Sequence, residues 1–217
     1  MRFADREEAA ALLAERLAAY RGQHPLVLGV PRGAVPMAVV IANALGGDLD
    51  VVLVRKLRAP GQHELAIGAV DEAGTIVRGR LFEIASEAYI GAEVRAQLDT
   101  LRRRRELYTR ARPPHDPAGR IVINVDDGIA TGSSMLAAIR SIRARGPRKN
   151  VVAVGVAAPS TLDAIEAEAD EVVCLHAPEE FYAVGQFFAD FSQVTDEMVV
   201  DALAPPRTAD DIIERML

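Results

Sequence analysis

Only one cysteine, Cys174, stands among 217 residues, so no disulfide can form within the chain and no cysteine-rich zinc site can be built. Its neighbours in the run Val172-Val173-Cys174-Leu175 are apolar and point to a buried core position. No apolar run is long enough to span a bilayer. A basic-then-apolar leader pattern is lacking too. The chain starts Met1-Arg2-Phe3-Ala4-Asp5-Arg6-Glu7-Glu8, which is acidic and helical, so a cytoplasmic protein with no membrane partner is expected. Positive charge is not in excess: 25 Lys and Arg face 31 Asp and Glu, for a formal net charge of −6. That balance argues against nucleic acid as a general partner. Internal repeats and low-complexity tracts are absent from the sequence.

What is present is core-forming material. Half of the residues are hydrophobic and 26% are charged, enough for one large domain over residues 1–217. Residues 5–20 have the spacing of an amphipathic helix, with Asp5 as its N-cap. Pro25–Val30 and Leu49–Val54 are apolar runs that predict buried strands, separated by a helical stretch, Val35–Leu45. Residues 57–64 are polar, contain Pro60-Gly61, and predict a loop. Ala66–Val70 and Thr75–Arg78 predict a hairpin. From about residue 82 the pattern turns charged and helical until the breaker Pro113-Pro114-His115-Asp116-Pro117. Strands at Ile121–Val125, Val151–Ala157 and Glu171–Leu175 then alternate with helices at Thr131–Arg145 and Ser160–Ala169. Short helices are expected near 195–203 and 208–216. Continuously apolar strands alternating with helices predict an α/β fold, a parallel sheet flanked by helices. Ligands bind such sheets at the carboxyl ends of the strands.

One of those ends carries a distinctive segment. The strand Ile121–Val125 runs into Asp126-Asp127, then Gly128-Ile129-Ala130, and Thr131-Gly132-Ser133-Ser134 opens a helix. Small residues at a helix start leave backbone N–H groups and the positive dipole end free to hold a phosphate. Two carboxylates beside a phosphate would repel it unless they served another group, such as sugar hydroxyls or a metal. An ordinary strand-turn-helix, with Thr131 as N-cap, is the plainer reading of a lone Thr-Gly-Ser. The full pattern favours the phosphate cradle.

This segment resembles the signature of the type I phosphoribosyltransferases, which use 5-phosphoribosyl-1-pyrophosphate (PRPP). That signature is four apolar residues, two acids and a Thr-Gly turn, and Asn124 is its one minor departure here. The resemblance covers most of the chain apart from 82–118, and the chain looks especially like a group of bacterial phosphoribosyltransferases. It implies that Asp126 and Asp127 hold the ribose hydroxyls and that Ala130, Thr131, Gly132, Ser133 and Ser134 hold the 5-phosphate. It implies a pyrophosphate loop at Pro31-Arg32-Gly33, with Arg32 pairing the anion, Gly33 allowing close approach, and a non-proline cis peptide. Arg55 and Lys56, expected at the end of the second strand, would also face pyrophosphate, ahead of a closing loop over 57–75 that includes His63 and Glu64. It implies a small C-terminal hood from residue 177, in which Phe181 stacks on a purine and Asp190 helps to hold Mg²⁺. The helical stretch 82–118 is then an insertion. Phe181, Phe187, Phe188 and Phe191 read equally well as core packing. Two purine-reading positions are missing: Ala130 stands where that branch has an acid, and Ala157-Ala158 where it has a lysine. The run Arg102–Arg105 wraps most of the way round its helix and reads as a solvated or interface face.

The resemblance therefore implies an Mg²⁺-dependent transferase that joins ribose 5-phosphate from PRPP to a nitrogen nucleophile on a small-molecule acceptor, with nucleotide salvage as a setting. The alternative on the same fold is a non-catalytic sensor of PRPP or nucleotides. A homo-oligomer is compatible with either.

Overall fold

The computed structural model describes residues 1–204, except the side chains of His63 and Glu64. The helix expected near 208–216 lies outside the described residues. In chain order the elements are α1 (Arg6–Arg16), β1 (Leu26–Gly29), α2 (Val35–Leu45), β2 (Asp48–Val51), β3 (Val54–Ala59), β4 (Gln62–Asp71), β5 (Ile76–Arg78), α3 (Glu87–Ala111), β6 (Ile121–Ile129), α4 (Ser133–Arg143), β7 (Lys149–Ala157), α5 (Pro159–Glu166), β8 (Glu171–His176) and α6 (Asp196–Leu203).

Five strands form a parallel sheet in the order β2-β1-β6-β7-β8. Both faces are covered, which is why these strands are apolar at nearly every position. Val27, Ile123, Val125, Val151 and Ala153 pack on one face. Leu26, Leu28, Val122, Val152 and Val154 pack on the other, against Met135, Ile139 and Ile142 of α4. The expected α/β architecture is thus present. Cys174 is half-buried rather than enclosed, because β8 is an edge strand whose residues are all half-buried.

The second sheet corrects two expectations. β3, β4 and β5 form an antiparallel meander. Residues 57–64 therefore belong to strands on either side of a tight turn at Pro60-Gly61, not to a loop. Arg55 and Lys56 lie inside β3 rather than at the end of the second parallel strand, which stops at Val51. In β3, Val54, Leu57 and Ala59 are buried while Arg55, Lys56 and Arg58 are not. The charges disguise a strand whose polar side faces a cavity.

Residues 82–84 form a short 3-10 turn and α3 runs for 25 residues, capped by Ser86, whose hydroxyl accepts from the Tyr89 N–H at 3.3 Å. α3 packs on β3, β4 and α6. The segment after β8 is tied to the N-terminus. Phe3 donates its N–H to the Phe187 carbonyl at 2.8 Å and accepts from Ala189 at 2.8 Å. No helix of the described residues is long and apolar enough to cross a membrane.

Candidate active site

The sheet order reverses between β1 and β6, so their carboxyl ends open a crevice where α/β sheets receive ligands. On the β1 side the chain leaves through Val30 and a cis Pro31-Arg32 peptide to Gly33. A Cβ at Gly33 would lie 2.5 Å from Oδ2 of Asp127, so only glycine lets this loop approach the second acid.

On the β6 side, Asp126 and Asp127 are consecutive strand residues and turn to opposite faces. Asp127 is buried, and its Oδ2 accepts from Arg6 Nε of α1 at 2.8 Å. Asp126 is half-buried, and its Oδ1 accepts the Asp127 N–H at 2.9 Å. Withdrawal from water, and then the charge of Asp127, push the Asp126 carboxyl well above the usual range, while Lys56 pulls the other way.

α4 begins just beyond. Its N-cap is Gly132 at φ 74°, not Thr131, and no side chain caps the first turn. The first N–H groups are left for a ligand. Ala130, Thr131, Gly132 and Ser134 line a small recess of about 50 Å³ here. Two larger cavities adjoin it, and Ser134 lines all three. One of about 450 Å³ is bounded by Arg32, Gly33, Asp126, Asp127 and Phe191. The other, of about 250 Å³, holds Arg55, Lys56, Arg58 and Arg104. Arg55 donates from Nε to Gln97 Oε1 at 2.9 Å, and its pKa is lowered by burial and by the charges of Arg104 and Arg58.

The profile of the phosphoribosyl transferase domain matches residues 5–191, a span that takes in the crevice and both of its rims. The chain belongs to the phosphoribosyl transferase domain family. A Mycobacterium tuberculosis protein assigned by name to the phosphoribosyl transferases is 44% identical over 204 residues, which is 91% of this chain but 45% of that protein. The chain thus spans about half the length of the curated relatives it matches. The crystal structure of TT1426 from Thermus thermophilus superposes with a TM-score of 0.81 at 50% identity, covering 94% of this chain and 98% of that one. AQ2163 from Aquifex aeolicus shares the fold, with a TM-score of 0.51 at 15% identity over 83% of this chain and 76% of that one.

In this phosphoribosyltransferase domain, Arg32, Gly33, Arg55, Lys56, Asp126, Asp127, Ala130, Thr131, Gly132 and Ser134 line the three adjoining cavities. Ser133 opens α4 but lines none of them. Phe181 also lines none of them and packs on Phe187, with ring centroids 5.3 Å apart. The aromatic side chain beside Asp127 is instead Phe191, with the Arg6 guanidinium 3.9 Å from its ring centroid. Asp190 is exposed, and its carboxylate, held below the usual range by hydrogen bonds from Ser192, accepts that residue's backbone N–H at 2.9 Å and hydroxyl at 2.5 Å. Among the described residues no group of three His, Cys, Asp or Glu side chains converges.

Four residues that line these cavities or contact their lining were not singled out as site residues in the sequence: Arg6, Arg58, Arg104 and Asp196. Arg6 and Asp196 each lie in the first turn of a helix, where a charged residue carries no signal of its own. For Arg104 the signal was present but diluted. In the run Arg102–Arg105, Arg102 and Arg103 are exposed, while Arg104 turns to the cavity and Arg105 to Glu72 and Asp50.

Proposed function

We propose that this domain transfers ribose 5-phosphate from PRPP to a nitrogen nucleophile and releases pyrophosphate. One observation carries the reading: an uncapped helix start, two adjacent carboxylates and a cluster of cations surround a single crevice at the sheet's reversal point. The uncapped N–H groups of α4, with the hydroxyls of Thr131 and Ser134, take the 5-phosphate. Asp126 and Asp127 take the ribose 2- and 3-hydroxyls. Arg32, Arg55 and Lys56 take the pyrophosphate.

Reaction breaks the C1–O bond to pyrophosphate and forms a C1–N bond on the opposite face, with inversion. Positive charge develops on the ribose ring as the anion leaves. The two carboxylates lie beside that charge in a fixed arrangement, which favours the transition state over the ground state. The cations of β3 and the β1 loop receive the negative charge that moves onto the leaving group. Mg²⁺ fits this donor set, because it commonly binds through one or two carboxylates and the oxygens of a polyphosphate substrate; when bound, it neutralises leaving-group charge. Of the two adjacent acids, Asp126 has no arginine partner among the described residues, and it suits that contact better than the exposed Asp190.

The acceptor fits the cavity of about 450 Å³ beside Phe191, a volume suited to a small planar molecule such as a nucleobase. Phe181 would reach it only by leaving Phe187. A cytoplasmic role in nucleotide salvage agrees with this chemistry. The test is release of pyrophosphate from PRPP and Mg²⁺ with a panel of nucleobases and amines. Turnover with any acceptor supports transfer; PRPP binding without turnover across the panel favours a sensor.

A further inference from the structure

The cavity of about 250 Å³ holds Arg55, Lys56, Arg58 and Arg104, and among the described residues no carboxylate lines it. Three of these cations come from β3; Arg104 comes from α3, across the cavity. Its side chain is 19% exposed, so it is largely withdrawn from water. Among the described residues, its acidic partner is Asp196, at the start of α6, with Nε 3.7 Å from Oδ1. That same oxygen accepts the Tyr108 hydroxyl at 2.5 Å, and Oδ2 lies 3.9 Å from Arg32. One carboxylate thus serves two guanidiniums at distances beyond a direct charged hydrogen bond, which runs about 2.7–2.9 Å. Both arginines keep donors for another anion. Like charges gathered in a sheltered pocket repel one another, and a multiply charged anion removes that repulsion.

We infer that α3 completes the pyrophosphate subsite of the proposed transferase: Arg104 is a direct ligand of the leaving anion, and Asp196 holds its guanidinium while the subsite is empty. The inference rests on the reading given under Proposed function and adds a residue from α3, in the helical stretch read from the sequence as an insertion. Arg32 and Arg104 meet at Asp196, so an anion that draws both away from it couples the β1 loop, α3 and α6. The subsite then holds its ligand with cations from the β1 loop, β3 and α3.

Calorimetric titration with inorganic pyrophosphate and Mg²⁺, and separately with ribose 5-phosphate, tests this. Arg104→Gln should weaken pyrophosphate roughly ten-fold or more, the worth of a hydrogen bond to a charged group, and leave ribose 5-phosphate unchanged. Arg104→Lys should recover part of the loss. Arg103→Gln, at an exposed neighbour, should change neither affinity. Asp196→Asn should tighten pyrophosphate several-fold by removing a competing charge, whereas a purely structural aspartate would leave it the same or weaker. Unchanged pyrophosphate affinity in folded Arg104→Gln would overturn the inference and leave the transferase reading standing. Failure of the unmodified protein to bind either ligand would overturn both.

Discussion

Asp127 sits between two charges of opposite sign, Arg6 at 2.8 Å and the neighbouring Asp126. Replacing it with asparagine keeps its volume but removes one negative charge beside the reacting ribose. Turnover per folded molecule should fall by roughly 10²–10³, the usual effect of one preorganised electrostatic contact. Reducing the Arg6 contact from an ion pair to a hydrogen bond with a neutral acceptor should also cost about 1 kcal/mol of stability, since Arg6 keeps its bond to the Ser192 carbonyl. Turnover normalised to folded protein separates the two effects. Asp126 behaves differently, because its carboxyl is raised by burial and by Asp127. A carboxyl whose folded pKa is raised binds more protons in the folded state. Stability therefore falls as pH rises from the ordinary value of 3.8 through the raised one, and stays reduced above it. Asp126→Asn should accordingly melt above the unmodified protein at neutral pH, with the advantage gone below pH 3.8. Melting curves at several pH values check this, and a variant that melts lower at pH 7 would contradict it. The pair stood out in the sequence because two adjacent acids follow an apolar run; the expected strand stopped at Val125, whereas β6 continues through both acids to Ile129. Arg6 did not stand out, since an arginine in the first turn of a helix looks solvated until the fold brings it across 121 residues to Asp127.

The start of α4 shows what a whole element contributes. Gly132 caps it in the left-handed region at φ 74°, and a Cβ there would lie 2.8 Å from the Thr161 methyl. Gly132→Ala should cost about 1–2 kcal/mol from backbone conformation alone. If the turn holds the 5-phosphate, the affinity for ribose 5-phosphate should fall about ten-fold while that for pyrophosphate stays close to its original value. Urea denaturation and calorimetric titration measure the two effects. The parallel strands were readable because burial on both faces demands continuous apolar runs. β3 was not, because Arg55, Lys56 and Arg58 alternate with buried Leu57 and Ala59, and charges beside Pro60-Gly61 imitate a loop. Charge on one face of a strand hides the strand. The same effect hid Arg104, whose neighbours Arg102 and Arg103 face solvent.

The whole molecule carries a net charge of −6, yet its crevice gathers Arg32, Arg55, Lys56, Arg58 and Arg104. Such segregation would draw a polyanion such as the proposed PRPP to one place, while the acidic remainder of the surface repels anions. The fold sets this up by reversing strand order between β1 and β6 and laying β3 and α3 over one side of the opening. Composition alone, with its acidic excess, gave no sign of a basic site, because net charge says nothing about arrangement. The central claim is that this crevice binds PRPP, and the most direct measurement is the melting temperature with PRPP and Mg²⁺ present. A ligand at a hundred times its Kd stabilises the folded state by about 2.7 kcal/mol, and each kcal/mol raises the melting temperature of a domain this size by roughly 2–4 °C. The account predicts a rise of about 5–10 °C at saturating PRPP, reduced in Asp126→Asn and in Gly132→Ala. No rise at millimolar PRPP, with Mg²⁺ present and the protein folded, would contradict it.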